Sequence, residues 1–527
     1  MRFLFRYGLS AFAFLVATSV FAQQGYHFIS RDHNRDLEKY INSPESNIHG
    51  QVQPFLNTDI AAEVHPDSLR PDSMAFAWSQ RMFLKNRNPQ KTNLRFFPML
   101  NLLGGVDVND RQTRGTYETG VGVGVGADVG RKFSFYADVR GFYGRYPGYV
   151  ENYMLLREVN PGLGYARFDG RGFSSWDFSG YVSYSPLEPF NIQAGVGKNF
   201  WGEGIRSLWL SDQSTSYPFL KITTTIWNIK YVNLFNVMYD IRGSGGDYSE
   251  FALKYSSMHL LSWNISKRVN VSLWESVIWQ NRDNDNLRGF DVNYLNPIIF
   301  YRPVEFSQGS SDRVTIGLNF SVKVGSNTKL FTQIAVDEFL LDSLRSGNGW
   351  FGNKQALQVG GKSFDAFGVE GLDIRGEFNL IRPFFYQHVS VKQNHAHYNE
   401  PLAHGLGNNL YEAILSGRFR RNRWVFDARV LVARYGQDTD SLNLGGDIFR
   451  SDVDPPRPES GHHIAQGVQH LLVSTELRAG FLIDQHLGLR VEAAYIPRYL
   501  IVEGATQYNH FIQVGLRTAL WNRNRLF

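Results

Sequence analysis

The stretch from Tyr117 to Gly130 reads YETGVGVGVGADVG, and its two-residue rhythm restricts the fold of this 527-residue chain more than any other feature. On an extended backbone Val121, Val123, Val125, Ala127 and Val129 share one face, and Gly122, Gly124, Gly126 and Asp128 share the other. A dinucleotide-binding loop is the competing reading, because Gly124, Gly126 and Gly130 fall near its spacing. That loop requires a strand, a glycine turn, and then a helix whose N-terminus receives the phosphate. Here the alternation runs straight through the glycines, and FSFYADVRGF resumes an extended pattern at Phe133. The stretch therefore reads as a strand whose two faces meet different solvents.

The alternation returns along the chain. Val314, Ile316, Leu318, Phe320 and Val322 oppose Thr315, Gly317, Asn319, Ser321 and Lys323. Trp424, Phe426, Ala428 and Val430 oppose Asp427 and Arg429, and Leu489, Val491 and Ala493 oppose Arg490 and Glu492. These runs outlast the usual soluble strand of about five or six residues. They suit tilted strands that cross a bilayer, with lipid on the apolar face and a wet lumen on the polar one. Turn spacing from about Leu94 onward predicts an all-β membrane barrel of about 18 antiparallel strands. Tight turns alternate with long connections such as 147–174, 205–218, 281–312, 387–409 and 439–466. An even count puts both barrel ends on the short-turn, periplasmic side.

The N-terminus differs. Arg2 and Arg6 precede a mostly apolar run, Leu9 to Val20, and a small-residue site ending at Ala22. Residues 1–22 read as a cleaved signal peptide. Residues 23–92 are expected to form a helical periplasmic or plug segment, with helices over 34–43 and 72–86, and 93–527 the barrel. No later stretch reaches the roughly 18 apolar residues of a membrane helix. The chain has no Cys, which removes disulfides and thiolate chemistry. A net charge of +5 is too slight to point to nucleic acid. The expected location is the outer membrane.

Three stretches carry more than periodicity: KNFWGEGIRSLWLSD (198–212), FDVNYLNPIIFYRPVEFSQGSSD (290–312) and RPFFYQHVSVKQNHAHYNEPLAHGLGNN (382–409). Together they resemble the capsule assembly Wzi family in its Bacteroidetes-type, gliding motility RemB-like form. The resemblance implies an outer-membrane barrel of eighteen strands with a helical N-terminal part. It further implies binding or anchoring of capsular or exopolysaccharide at the cell surface. Surface polysaccharide, outer-membrane lipid, and export or motility machinery are the implied partners. A surface component of adhesion or gliding motility is the alternative, and a diffusion porin the second alternative.

All three stretches fall in or beside expected external loops. Trp201, Trp209 and Tyr217 are candidate platforms for sugar rings; Glu203, Arg206 and Asp212 are candidate partners for hydroxyls or acidic sugars. The competing role for these aromatics is the interfacial girdle of any such barrel. Tyr301, Arg302 and Glu305 sit in a loop too apolar for full solvation, expected to fold inward or over the lumen. Arg302 and Glu305 read there as a structural ion pair or a glycan contact. His388, His397, Tyr398, Asn399 and His404 complete the candidate glycan contacts, with loop hydrogen bonding as the alternative. No carboxylate spacing completes a metal motif around these histidines. GxSxG is absent, so no enzymatic role and no cofactor is assigned.

Overall fold

The structure is a computed structural model that describes residues 25–63, 93–109, 115–130, 132–283, 286–298, 312–338, 340–485 and 487–525. The expected signal peptide, the expected helix over 72–86, and Tyr301, Arg302 and Glu305 lie outside the described residues.

Eighteen long antiparallel strands form one closed barrel. The first six are β1 (Asn93–Asp107), β2 (Gly115–Val129), β3 (Phe133–Arg145), β4 (Phe173–Tyr184), β5 (Phe190–Gly197) and β6 (Tyr217–Ile226). Next come β7 (Ile229–Asp240), β8 (Ala252–Ser266), β9 (Val269–Gln280), β10 (Arg313–Val324), β11 (Thr328–Glu338) and β12 (Lys354–Ser363). The last are β13 (Leu372–Ile381), β14 (Leu410–Arg421), β15 (Trp424–Gln437), β16 (Val468–Asp484), β17 (Leu489–Val502) and β18 (Ala505–Arg517). β1 closes the ring against β18, with Asn101 opposite Arg517 and Asp107 opposite Phe511. Closure leaves no unpaired edge to meet lipid. Among the described residues no helix is long and apolar enough to cross a membrane.

The wall follows the alternation. Val121, Val123, Leu318, Leu477 and Val514 are exposed outward, while Asp128, Asn319, Arg418 and Glu492 are buried facing the lumen. The lumen-side glycines are covered by large neighbours. A Cβ on Gly120 would meet the Phe142 ring at 2.8 Å, and one on Gly122 would meet the Val139 carbonyl at 2.6 Å. Bare backbone at these positions lets Phe142 and Arg140 lie flat along the inner wall.

The lumen is filled. Helix α1 (Arg31–Ile41) lies across the short-turn end; Ser30 caps it by accepting from the His33 N–H at 3.2 Å. The Asp32 carboxylate lies 2.6 Å from Arg490, 3.1 Å from Arg517 and 3.3 Å from Arg478. Asp36 pairs with Arg418 and Arg420, and Glu38 with Arg375 at 2.5 Å. One acidic face thus meets a ring of arginines from β13 to β18. From this same end the tail after β18 turns back into the lumen. Leu520 and Trp521 pack with Met99, Phe142 and Leu163, and Arg525 pairs with Glu118 at 2.7 Å.

The apolar connection after β9 departs from expectation. Residues 286–298 do not turn into the lumen. Tyr294 is fully buried against Trp279, Val277 and Val314, all on the outward face of β9 and β10. Its hydroxyl donates to Asp312 at 2.7 Å, and Arg288 grips the same carboxylate at 2.6 and 2.7 Å. This sector of wall carries polar outward residues, Ser257, His259 and Glu275, all buried. A polar stripe on the lipid side needs cover, and Ser257 donates to the Tyr294 carbonyl at 3.0 Å.

Candidate functional site

The connection 198–216 enters the lumen from the loop end. Phe200 and Trp201 form a two-residue antiparallel ladder with Val52 and Gln53 of the N-terminal segment. The Glu203 carboxylate sits 2.5 Å from Lys329 and 3.3 Å from Lys362. Burial works against its charge, but the two ammonium groups outweigh burial and hold the carboxyl down at about 2. Arg206 grips Glu412 through two bonds of 3.1 and 2.7 Å. Trp209 stacks on Trp274 of the wall at 5.5 Å and donates to the Ile334 carbonyl at 3.0 Å. Asp212 is held by Arg31 at 2.9 Å and by Asn522 at 2.6 Å. It therefore ties the N-terminal segment, this loop and the C-terminal tail together.

The connection 382–409 enters beside it. His404 Nε2 lies 2.8 Å from Glu412, and its Nδ1 accepts from the Leu406 N–H at 3.3 Å. That pair of contacts assigns the proton to Nε2. His397 Nδ1 accepts from the Tyr239 N–H at 3.1 Å, and its ring meets Tyr217 edge-on at 5.7 Å. Burial pushes the His397 imidazole down to about 3, so the ring is neutral. Asn399 donates to the Arg157 carbonyl at 3.0 Å.

The sequence-derived candidates thus divide into groups. Trp201, Glu203, Arg206, Trp209, Asp212, Tyr217, His397, Asn399 and His404 are buried and engage one another or the wall. Tyr398 and His388 are half-buried. Tyr301, Arg302 and Glu305 lie outside the described residues. Among the described residues no group of three or more His, Cys, Asp or Glu is placed to hold a metal ion.

Above this filling lies an open cleft of about 700 Å³ that the sequence reading missed. Helix α2 (Gly148–Arg157), in the connection after β3, supplies Tyr149 and Tyr153, one turn apart on one face. The loop ends of β15 and β18 supply Tyr435 and Tyr508. Arg157 and Arg498 are the cations, and among the described residues no carboxylate lines the cleft. Arg498 lies over the Tyr149 ring at 4.5 Å, and Tyr435 stacks on His470 at 4.7 Å. The helix is fixed from below. Glu151 accepts from Arg145 at 2.7 and 2.9 Å and from the Tyr146 N–H at 2.9 Å. Val150 and Met154 pack into the wall beside Phe173. The cleft floor is Gly405 and Leu406, directly after His404.

Each of these tyrosines alone looks like a girdle residue, and they come from positions up to several hundred residues apart. The one legible signal was the Tyr149–Tyr153 spacing inside a connection read as plain loop.

No protein-family model and no curated protein sequence matches the chain. Among solved structures the chain is similar to Wzi of Escherichia coli, described as an outer membrane protein involved in group 1 capsule assembly and a carbohydrate-binding β-barrel. The identity is 10%, the TM-score 0.55, and the alignment covers 93% of this chain and 98% of that one. It is also similar to Pseudomonas aeruginosa OprD, at 8% identity, TM-score 0.43, covering 81% and 94%. Acinetobacter baumannii OccAB4 matches at 8% identity, TM-score 0.44, covering 82% and 99%. At these identities the likeness is one of fold.

Proposed function

We propose that the chain is an outer-membrane β-barrel of the capsule assembly type, which binds surface polysaccharide at its loop end and catalyses no reaction. In this reading the short turns face the periplasm and the cleft faces the cell surface. The cleft carries the argument: four tyrosines, two arginines and side-chain amides line a space wide enough for a saccharide segment. Sugar C–H faces pack on aromatic rings, and arginines and amides fix hydroxyls and acidic groups. The fold likeness to a carbohydrate-binding barrel supports the same reading. The buried candidates act as positioning residues. Arg206 and His404 hold Glu412 and so set Gly405 and Leu406 in the cleft floor, and Asn399 holds the end of α2. Tyr398 and His388 are proposed as secondary rim contacts.

Binding of capsular or exopolysaccharide fragments to the purified barrel in detergent tests this. Tyr149→Ala and Tyr508→Ala are each expected to weaken binding by up to about tenfold, the scale of one aromatic contact. Equal binding by the double variant, together with unchanged surface polysaccharide in a deletion strain, would refute the reading. The filled lumen stands against a diffusion pore. Large steady currents in planar bilayers would favour the pore instead.

A further inference from the structure

Below the cleft, two smaller cavities continue toward α1. The upper, of about 60 Å³, shares Tyr149 with the cleft and is lined by Arg429, Arg478, Arg523 and Arg525. The lower, of about 80 Å³, shares Arg429, Glu476, Arg478 and Arg523 with the upper and ends at Asp32 and Arg35 of α1. A continuous lining therefore runs from the surface to the plug helix.

The charge of that lining does not balance. Seven arginines face three carboxylates, Asp32, Asp427 and Glu476, in the lower cavity. Partners within and behind the lining answer most of these cations: Arg31 pairs with Asp212, Arg375 with Glu38, and Arg429 with Glu476. Asp32 and Glu492 are shared among Arg478, Arg490 and Arg517. Glu118 serves both Arg523 and Arg525. Arg35 is only 9% exposed, and its sole hydrogen bond among the described residues is a long one, 3.5 Å, to Ser416. Its Nε and Nη2 have no hydrogen-bond partner there, and neither do Arg429 Nε and Arg523 Nε. Burial, with Arg375 and Arg418 alongside, pushes the Arg35 guanidinium down to about 9. Arg35 is thus the one lining arginine with no ion pair among the described residues, and a buried guanidinium left so costs several kcal/mol unless an anion answers it.

We propose that this arginine-lined space is an oxyanion site, receiving a carboxylate, sulfate or phosphate group between Arg35, Arg429 and Arg523. The space exceeds the roughly 30 Å³ share of one water molecule and accommodates a compact tetrahedral or planar oxyanion. Guanidinium donors in a dry setting match such groups. The oxyanion comes either free or as the acidic substituent of a saccharide whose neutral part lies in the cleft. The site stands whether or not the cleft binds glycan.

The test uses the full chain in detergent. Crystals soaked in selenate are expected to show an anomalous peak beside Arg429 and Arg523; an empty cavity at saturating selenate overturns the proposal. In solution, phosphate is expected to raise the thermal midpoint beyond sodium chloride at equal ionic strength. An identical response to both salts overturns it, because screening alone would explain the effect. Arg35→Gln and Arg429→Gln are each expected to weaken the phosphate response by about tenfold or more, and Arg35→Lys less. Tyr508→Ala is expected to leave that response unchanged while weakening glycan binding. If the Gln variants do not fold, the wild-type selenate peak still decides. A uronic-acid oligosaccharide displaced by phosphate identifies a glycan-borne group. Stabilisation by phosphate with no such competition identifies a free anion.

Discussion

Connections 198–216 and 281–312 leave the same end of the barrel, and the parts described go to opposite sides of its wall. The first runs into the lumen, where Glu203, Arg206 and Trp209 find Lys329, Glu412 and Trp274. In the second, residues 286–298 fold over the outside, where Tyr294 finds Trp279 and Ser257. Both carry aromatics among apolar residues, so their own composition does not choose the side. The wall chooses. Charged groups on the inner face of β11 to β14 demand partners, and a polar stripe on the outer face of β8 and β9 demands cover from lipid. The inward loop is therefore clasped by buried ion pairs, and the outward one by an aromatic stack and a single shared carboxylate.

Removing one member of a clasp should expose this difference. Arg206→Ala leaves Glu412 buried without its guanidinium. We expect a loss of about 3–5 kcal/mol in equilibrium unfolding from detergent or lipid. A change under about 1 kcal/mol would mean the inward loop is held by packing alone. Acid should act on the same loop. The Glu203 carboxyl is held at about 2 against an ordinary 4.5, so its contribution is complete at neutral pH. Unfolded chains bind that proton more readily, so the contribution fades as pH falls from about 4.5 toward about 2. It is on the order of 3 kcal/mol, and Glu203→Gln should flatten that part of the stability–pH curve. A curve of unchanged slope in the variant would remove Glu203 from the clasp.

On the outward side, Tyr294→Phe keeps the stack with Trp279 and loses the hydroxyl's bond to Asp312. The expected cost is about 1.5–3 kcal/mol, with faster proteolysis within 286–298 than within 198–216. Equal protection of both loops would erase the contrast. The smallest effect belongs at the exposed rim. Lys267 and Glu45 meet at 3.2 Å in solvent, and Lys267→Ala should change stability by less than about 1 kcal/mol.

The barrel was legible because its signal is local. Side chains alternate across a strand whatever the strand pairs with, so Val121 to Val129 declared a two-sided wall without any knowledge of β3. Turn spacing predicts about 18 strands, and eighteen long strands form the barrel. α1 was expected over 34–43 and spans Arg31–Ile41, because Ser30 caps it earlier than its apolar pattern suggests. Position in a loop was legible for Arg206 and His404, but direction was not. Their partner Glu412 lies in a strand whose inward face is set by barrel closure. Tyr149, Tyr435 and Tyr508 come together only because α2 folds back over the ends of β15 to β18.

The sequence by itself determined a chain of alternating strands with short turns on one side and long connections on the other. Pleating has a period of two residues and needs no distant partner, which is why that much could be read. Only the tertiary structure decided which connections fill the lumen, which one wraps the outside, and where an open cleft survives. Those outcomes depend on charges and rings from strands far apart in sequence, brought face to face when the ring of strands closes.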